Sequence, residues 1–182
     1  MSSVVPESAD APRLAPNASF ISLFDLFKIG IGPSSSHTVG PMKAAAAFAA
    51  ALLPRIDDVG AIKVTLFGSL AWTGEGHATD KAIVLGLSGC APETVDVDDA
   101  DAMFANIKTT GALEIGQRRI RFSVASDLVF DRVSACDHPN TMRFEARDSS
   151  GTVLCEEVWL SLGGGFIARQ GDALAAPARP VA

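Results

Sequence analysis

Met142-Arg-Phe-Glu-Ala-Arg-Asp-Ser-Ser-Gly-Thr-Val-Leu-Cys-Glu-Glu-Val-Trp-Leu-Ser-Leu162 holds two strand-like runs on either side of one turn. Residues 142–147 and 153–162 read as strands, and Asp148-Ser149-Ser150-Gly151 between them is a hairpin signal. Working toward the N-terminus, residues 128–133 and 119–124 also read as strands. Residues 98–109 predict a helix that starts among acidic residues suited to its positive end. Residues 77–87 predict another, with Ala78, Ala82, Val84 and Leu85 available for packing. Residues 72–76 form a glycine-punctuated loop. Residues 62–70 alternate and are β-branched early, so they read as a strand. Residues 38–53 are an alanine-rich helix, with Pro41 tolerated in its first turn and Pro54 ending it. Residues 22–28 form a short amphipathic helix with Leu23, Leu26 and Phe27 on one face. Toward the C-terminus, Gly163, Gly164 and Gly165 close the domain. A strand with helices early and paired strands late predict an α+β fold, a layered α/β sandwich on a mixed or antiparallel sheet.

The chain has 182 residues, 48% of them hydrophobic, which suits one domain with a sizeable core. Residues 1–18 are rich in Ser, Pro and Ala and read as a flexible lead-in. Residues 19–170 read as the domain, and residues 171–182 as a linker. Fifteen Lys and Arg stand against 21 Asp and Glu, for a net charge of −6. No basic cluster appears, which argues against nucleic acid and anionic membrane surfaces as partners. The N-terminal residues lack the basic-then-apolar order of a signal peptide. The longest apolar stretch, 44–53, is about half a membrane span. The reading is a soluble, cytoplasmic protein. Cys90, Cys136 and Cys155 are far apart with no CxxC pair, so they read as buried thiols rather than disulfides or metal ligands.

The chemistry-bearing residues concentrate in loops. In Gly30-Ile-Gly-Pro-Ser-Ser-Ser-His-Thr-Val-Gly-Pro41, hydroxyls gather where a helix starts. Ser34, Ser35, Ser36 and Thr38 can cap that helix, or with its free N–H groups they can bind a carboxylate or phosphate. His37 lies beside them and can move a proton near neutral pH. In Gly74-Glu-Gly-His-Ala-Thr-Asp80, His77 opens a helix whose dipole disfavours the imidazolium, leaving a neutral ring fit for a general base. The alternative is a surface histidine. Asp137-His138-Pro139-Asn140 is either an ordinary turn or a polar ligand contact. No GxSxG elbow and no HxH or HxxxH spacing is present.

Residues 21–42, Ile-Ser-Leu-Phe-Asp-Leu-Phe-Lys-Ile-Gly-Ile-Gly-Pro-Ser-Ser-Ser-His-Thr-Val-Gly-Pro-Met, closely resemble the start of bacterial iron–sulfur-dependent L-serine dehydratases. Phe67-Gly-Ser-Leu70, Gly76-His-Ala-Thr-Asp80, His138-Pro-Asn140, Met142-Arg-Phe144 and Ser161-Leu-Gly-Gly-Gly-Phe-Ile167 follow in the family's order. Ala135 to Asp137 are less typical. The resemblance implies a smaller β domain, carried by this chain, and a larger α domain whose cysteines bind a 4Fe-4S cluster. The chain would then stop where the α domain begins, hold no cluster itself and be inactive alone. The implied reaction takes L-serine to pyruvate and ammonia, with an iron acting as Lewis acid on the serine hydroxyl. Beside their Ser- and Gly-rich loops, His77 and His37 read as the catalytic residues. The implied substrate contacts are Ser34, Ser35, Ser36, Thr38, His138 and Asn140. A homo-oligomer is also expected. The fold is similar to the serine-binding allosteric domain of some phosphoglycerate dehydrogenases, so a regulatory serine-binding module is the alternative.

Overall fold

The computed structural model describes residues 32–172. The helix expected at 22–28, the lead-in 1–18 and most of the linker lie outside the described residues.

Helical structure starts earlier than expected, at a π turn, Ser35–Val39, capped by Ser34. Pro41 has no N–H to give the His37 carbonyl four residues back, so an ordinary α-helical entry would leave that acceptor without a donor. The α-helix α1, Gly40–Leu52, follows and relaxes into a 3-10 stretch, Leu53–Asp58, at Pro54. The continuous stretch Ser35–Asp58 has the length and apolar content of a membrane span, yet it is half buried in the protein. Its α-helical part, at ~1.5 Å per residue, reaches only ~20 Å against a hydrocarbon core of ~30 Å.

Strand β1, Ala61–Phe67, ends sooner than the alternation predicts. Gly68 takes a left-handed conformation (φ +56°) and turns the chain into a short helix, α2, Gly68–Thr73. A 3-10 turn, Glu75–His77, and a helix α3, Thr79–Leu87, come next. Helix α4 is Val97–Thr110, capped by Asp96 at the Asp98 and Asp99 amides. Strands β2, Ala112–Ile115, and β3, Arg118–Arg121, precede a one-turn helix α5, Val124–Asp127. Strands β4, Leu128–Asp131, β5, Thr141–Arg147, and β6, Val153–Gly163, follow. The triple glycine does not close the domain. Its three residues, all at positive φ, form the turn into a last strand β7, Phe166–Arg169.

The sheet order is β2-β3-β1-β5-β6-β7, with β4 also beside β1. β3 and β4 run parallel to β1; the other pairings are antiparallel. The sheet is therefore mixed, as the α+β reading expects. Ile62, Val64 and Leu66 of β1 and Met142, Phe144 and Ala146 of β5 join Ala44, Ala45, Phe48 and Leu52 of α1 in one core. Phe48 and Phe144 stack across the layers with ring centroids 5.2 Å apart. The alternate residues face the other side, where Phe67, Arg143, Val158 and Leu160 help line a cavity of about 350 Å³.

Candidate active site

Three segments meet where β1 leaves the sheet: the π turn, the start of α2, and the 3-10 turn before α3. Gly68 makes this meeting close. A side chain there would press on the Pro139 carbonyl, which accepts the Ser69 N–H at 2.6 Å. The turn ahead of β5 thereby fixes the start of α2. Ser161 of β6 donates its hydroxyl to the Ser36 carbonyl at 2.8 Å and fixes the π turn from the other side.

His37 and His77 stand face to face, with ring centroids 5.0 Å apart and planes inclined by 38°. Hydroxyls hold His37 at both ring nitrogens: Nδ1 lies 3.0 Å from Ser36 Oγ and 3.4 Å from Ser34 Oγ, and Nε2 lies 3.0 Å from Ser69 Oγ. Since a hydroxyl can donate or accept, either neutral tautomer of His37 is satisfied. Burial first, then the nearby charge of His77, push its pKa below the usual imidazole value, against an opposing hydrogen bond from Ser69. His77 differs. Its Nδ1 lies 2.8 Å from the Thr73 carbonyl, which can only accept. Nδ1 therefore carries the hydrogen, and in the neutral ring Nε2 carries a free lone pair. No hydrogen bond occupies Nε2 among the described residues.

His77 does not open a helix. It ends the 3-10 turn, and Ala78, at φ +56°, separates it from α3. The helix-dipole argument for its neutrality therefore gives way to the carbonyl that sets its tautomer. Thr38 has no exposed surface, and its hydroxyl donates to the His77 carbonyl at 2.9 Å. Ser34 and Ser36 are half-buried beside His37, and Ser35 is exposed. His138 is not brought to the histidine pair. It lines the cavity on the far sheet face, and its Nδ1 accepts the Asn140 N–H at 3.1 Å. Asn140 braces the β5–β6 end, donating Nδ2 to the Ser161 carbonyl at 3.3 Å, while its Oδ1 is buried without a partner. Sequence reasoning missed Ser69. The signal was a Gly-Ser step inside an apolar run, directly after β1.

No three His, Cys, Asp or Glu side chains converge into a metal-binding group among the described residues. Among the described residues Cys90, Cys136 and Cys155 lie on separate parts of the fold, which does not fit an iron–sulfur cluster. Cys90 contacts the Met103 sulfur at 3.7 Å, Cys136 sits near Gly68, and Cys155 lies in β6.

Fold and site together define a two-layer α+β domain that presents a paired-histidine, serine-lined site at the C-terminal end of β1. The family model described as serine dehydratase beta chain matches residues 22–172, and the chain belongs to that family. The chain is 47% identical over 151 residues to an L-serine dehydratase of Streptomyces coelicolor, covering 81% of this chain and 33% of the relative. It is 48% identical over 157 residues to one of Mycobacterium bovis, covering 81% and 32%. It is 44% identical over 151 residues to one of Haemophilus influenzae, covering 81% and 33%. The chain thus spans about a third of the length of the curated relatives it matches.

Proposed function

We propose that this chain supplies the acid–base groups of an L-serine dehydratase, which converts L-serine to pyruvate and ammonia. In this reading a partner α domain or subunit in the cytoplasm brings the 4Fe-4S cluster, and the assembled enzyme is a homo-oligomer. The observation that carries the reading is the His77 tautomer. A ring anchored at Nδ1 by a carbonyl, with Nε2 bare, is built to take a proton at one atom.

His77 Nε2 accepts the α-proton of serine. His37, held neutral between hydroxyls, leaves His77 free to become the charged partner, because two imidazoles this close do not both charge readily. His37 also orients Ser69 and Ser36 toward the cleft, where their hydroxyls can contact substrate or the leaving hydroxyl. The exposed Ser35, at the mouth of the π turn, suits the substrate carboxylate. A purely regulatory serine-binding module would need the hydroxyls but not a base of fixed tautomer.

In the complete enzyme, His77→Ala should lower kcat by ~10²–10⁴-fold, the usual size for a lost acid–base group. Ser35→Ala should mainly raise KM, since a carboxylate contact present throughout the reaction is uniform binding. A His77→Ala enzyme with near-normal kcat and an intact cluster would transfer the base role to His37.

A further inference from the structure

We infer that Thr38 and Thr79 are a reciprocal pair of positioning residues that set the His37–His77 geometry, each holding the other segment's histidine by its main-chain carbonyl. The inference deepens the proposed acid–base role and rests on it for its catalytic consequence.

Thr38 follows His37 in the chain, and its hydroxyl donates to the His77 carbonyl at 2.9 Å. Thr79 follows His77 by two residues, and its hydroxyl donates to the His37 carbonyl at 2.6 Å. Both threonines are fully buried. Each bond answers a local defect. The His37 carbonyl lacks its ordinary helical donor because the residue four on is Pro41. The His77 carbonyl lies before α3 begins, next to Ala78, which at φ +56° is the only non-glycine residue with positive φ among those described. A buried carbonyl must find a partner. Here each partner comes from the opposite histidine's segment, so the two orphans close a ring. That ring ties the two histidine backbones together across 40 positions of chain, reckoned from His37 to His77. The side-chain hydrogen bonds at Ser69 and Thr73 then fix only ring rotation, because ring separation is already set. The β-branched methyl of each threonine limits χ1, which a serine at the same place would not do.

The test reads the ring-to-ring coupling first and activity second. Among the described titratable groups, His77 is the charged neighbour acting on His37. Imidazole nuclear magnetic resonance titrations of this chain should therefore show the His37 midpoint rising when His77→Ala is introduced. In a Thr79→Val or Thr38→Val background that response should shrink by half or more. In Thr→Ser backgrounds it should persist. Thr→Cys, with a weaker donor of similar size, serves where a valine variant does not fold, and should give an intermediate response. In the complete enzyme the valine variants should lose ~10–100-fold in kcat with KM changed less than about threefold, and serine should restore most of the loss. An undiminished response in folded valine variants overturns the inference. So does an equal loss in serine and valine variants, which would make the role packing rather than hydrogen bonding. If the coupling follows the threonines but His77→Ala leaves kcat unchanged, the positioning stands and the base assignment falls.

Discussion

Ala78 holds φ +56°, a conformation that places an alanine methyl against the following carbonyl and costs about 1–2 kcal/mol in an L-residue. The cost is tolerated because the kink delivers His77 to His37. Glycine adopts the same conformation freely but loses more entropy on folding, so Ala78→Gly should stabilise the protein by a net ~0.5–1 kcal/mol in urea unfolding. A loss of stability would mean that contacts of the methyl outweigh the strain. His37 gives a pH-dependent prediction at the same scale. Burial, then the charge of His77, lower its folded pKa below the unfolded value of about 6.5. Between those two values the unfolded chain binds more protons than the folded one. The stability contributed by the neutral ring is therefore complete above about pH 6.5 and is lost as pH falls from there through the folded pKa. Unfolding free energy measured at steps below about pH 7 should decline in this window, and His37→Gln should flatten the decline.

Helix α1 meets α3 at small residues. A methyl on Gly86 would press on the Met42 carbonyl and come within 2.8 Å of Ala45 Cβ. Gly86→Ala should thus force the helices apart and destabilise by about 1–3 kcal/mol, despite alanine's better helix propensity. Thermal melts check the loss; a more stable variant would show that the two helices slide without strain. The element scale also explains what the sequence disclosed. Residues 142–162 were legible because Met142, Phe144 and Ala146 alternate with Arg143, Glu145 and Arg147, and the structure puts the first set in the core. The helix ending at Leu52 was legible from its alanines. β2 and β7 were not, because β2 follows helix α4 after the single Gly111, and β7 follows a glycine run that resembles an exit. The switch at Gly68 was hidden because Leu66, Phe67 and Leu70 keep an apolar pattern through it while the backbone changes hand. Of the site, the Ser-His and Gly-His segments stood out by composition. Their pairing did not, because it depends on Ser69, on the Thr38–Thr79 exchange, and on an alanine whose type favours helix rather than a left-handed kink.

At the scale of the whole molecule, this chain spans about a third of its relatives, and among the described residues no thiolates gather beside the histidine pair. An iron–sulfur cluster needs converging cysteine thiolates. Cys90 sits beside Met103 in the helical layer, whereas Cys155 is in β6 on the sheet. Burial raises the pKa of the Cys90 thiol; burial and then the charge of Glu157 raise that of Cys155. Both shifts favour the protonated form, which is a poor ligand. The core of Phe48, Phe144, Leu66 and their neighbours is built from packed apolar side chains. The purified chain, incubated anaerobically with ferrous iron and sulfide and then desalted, should retain its far-ultraviolet circular dichroism and carry far less than one equivalent of iron. Added to the separately reconstituted cluster-bearing part of the enzyme, it should restore serine-dependent pyruvate formation, and the His77→Ala chain should restore little of it. A stoichiometric cluster on this chain alone would mean that Cys90, Cys136 and Cys155 can come together around it, and the division of labour proposed here would fail.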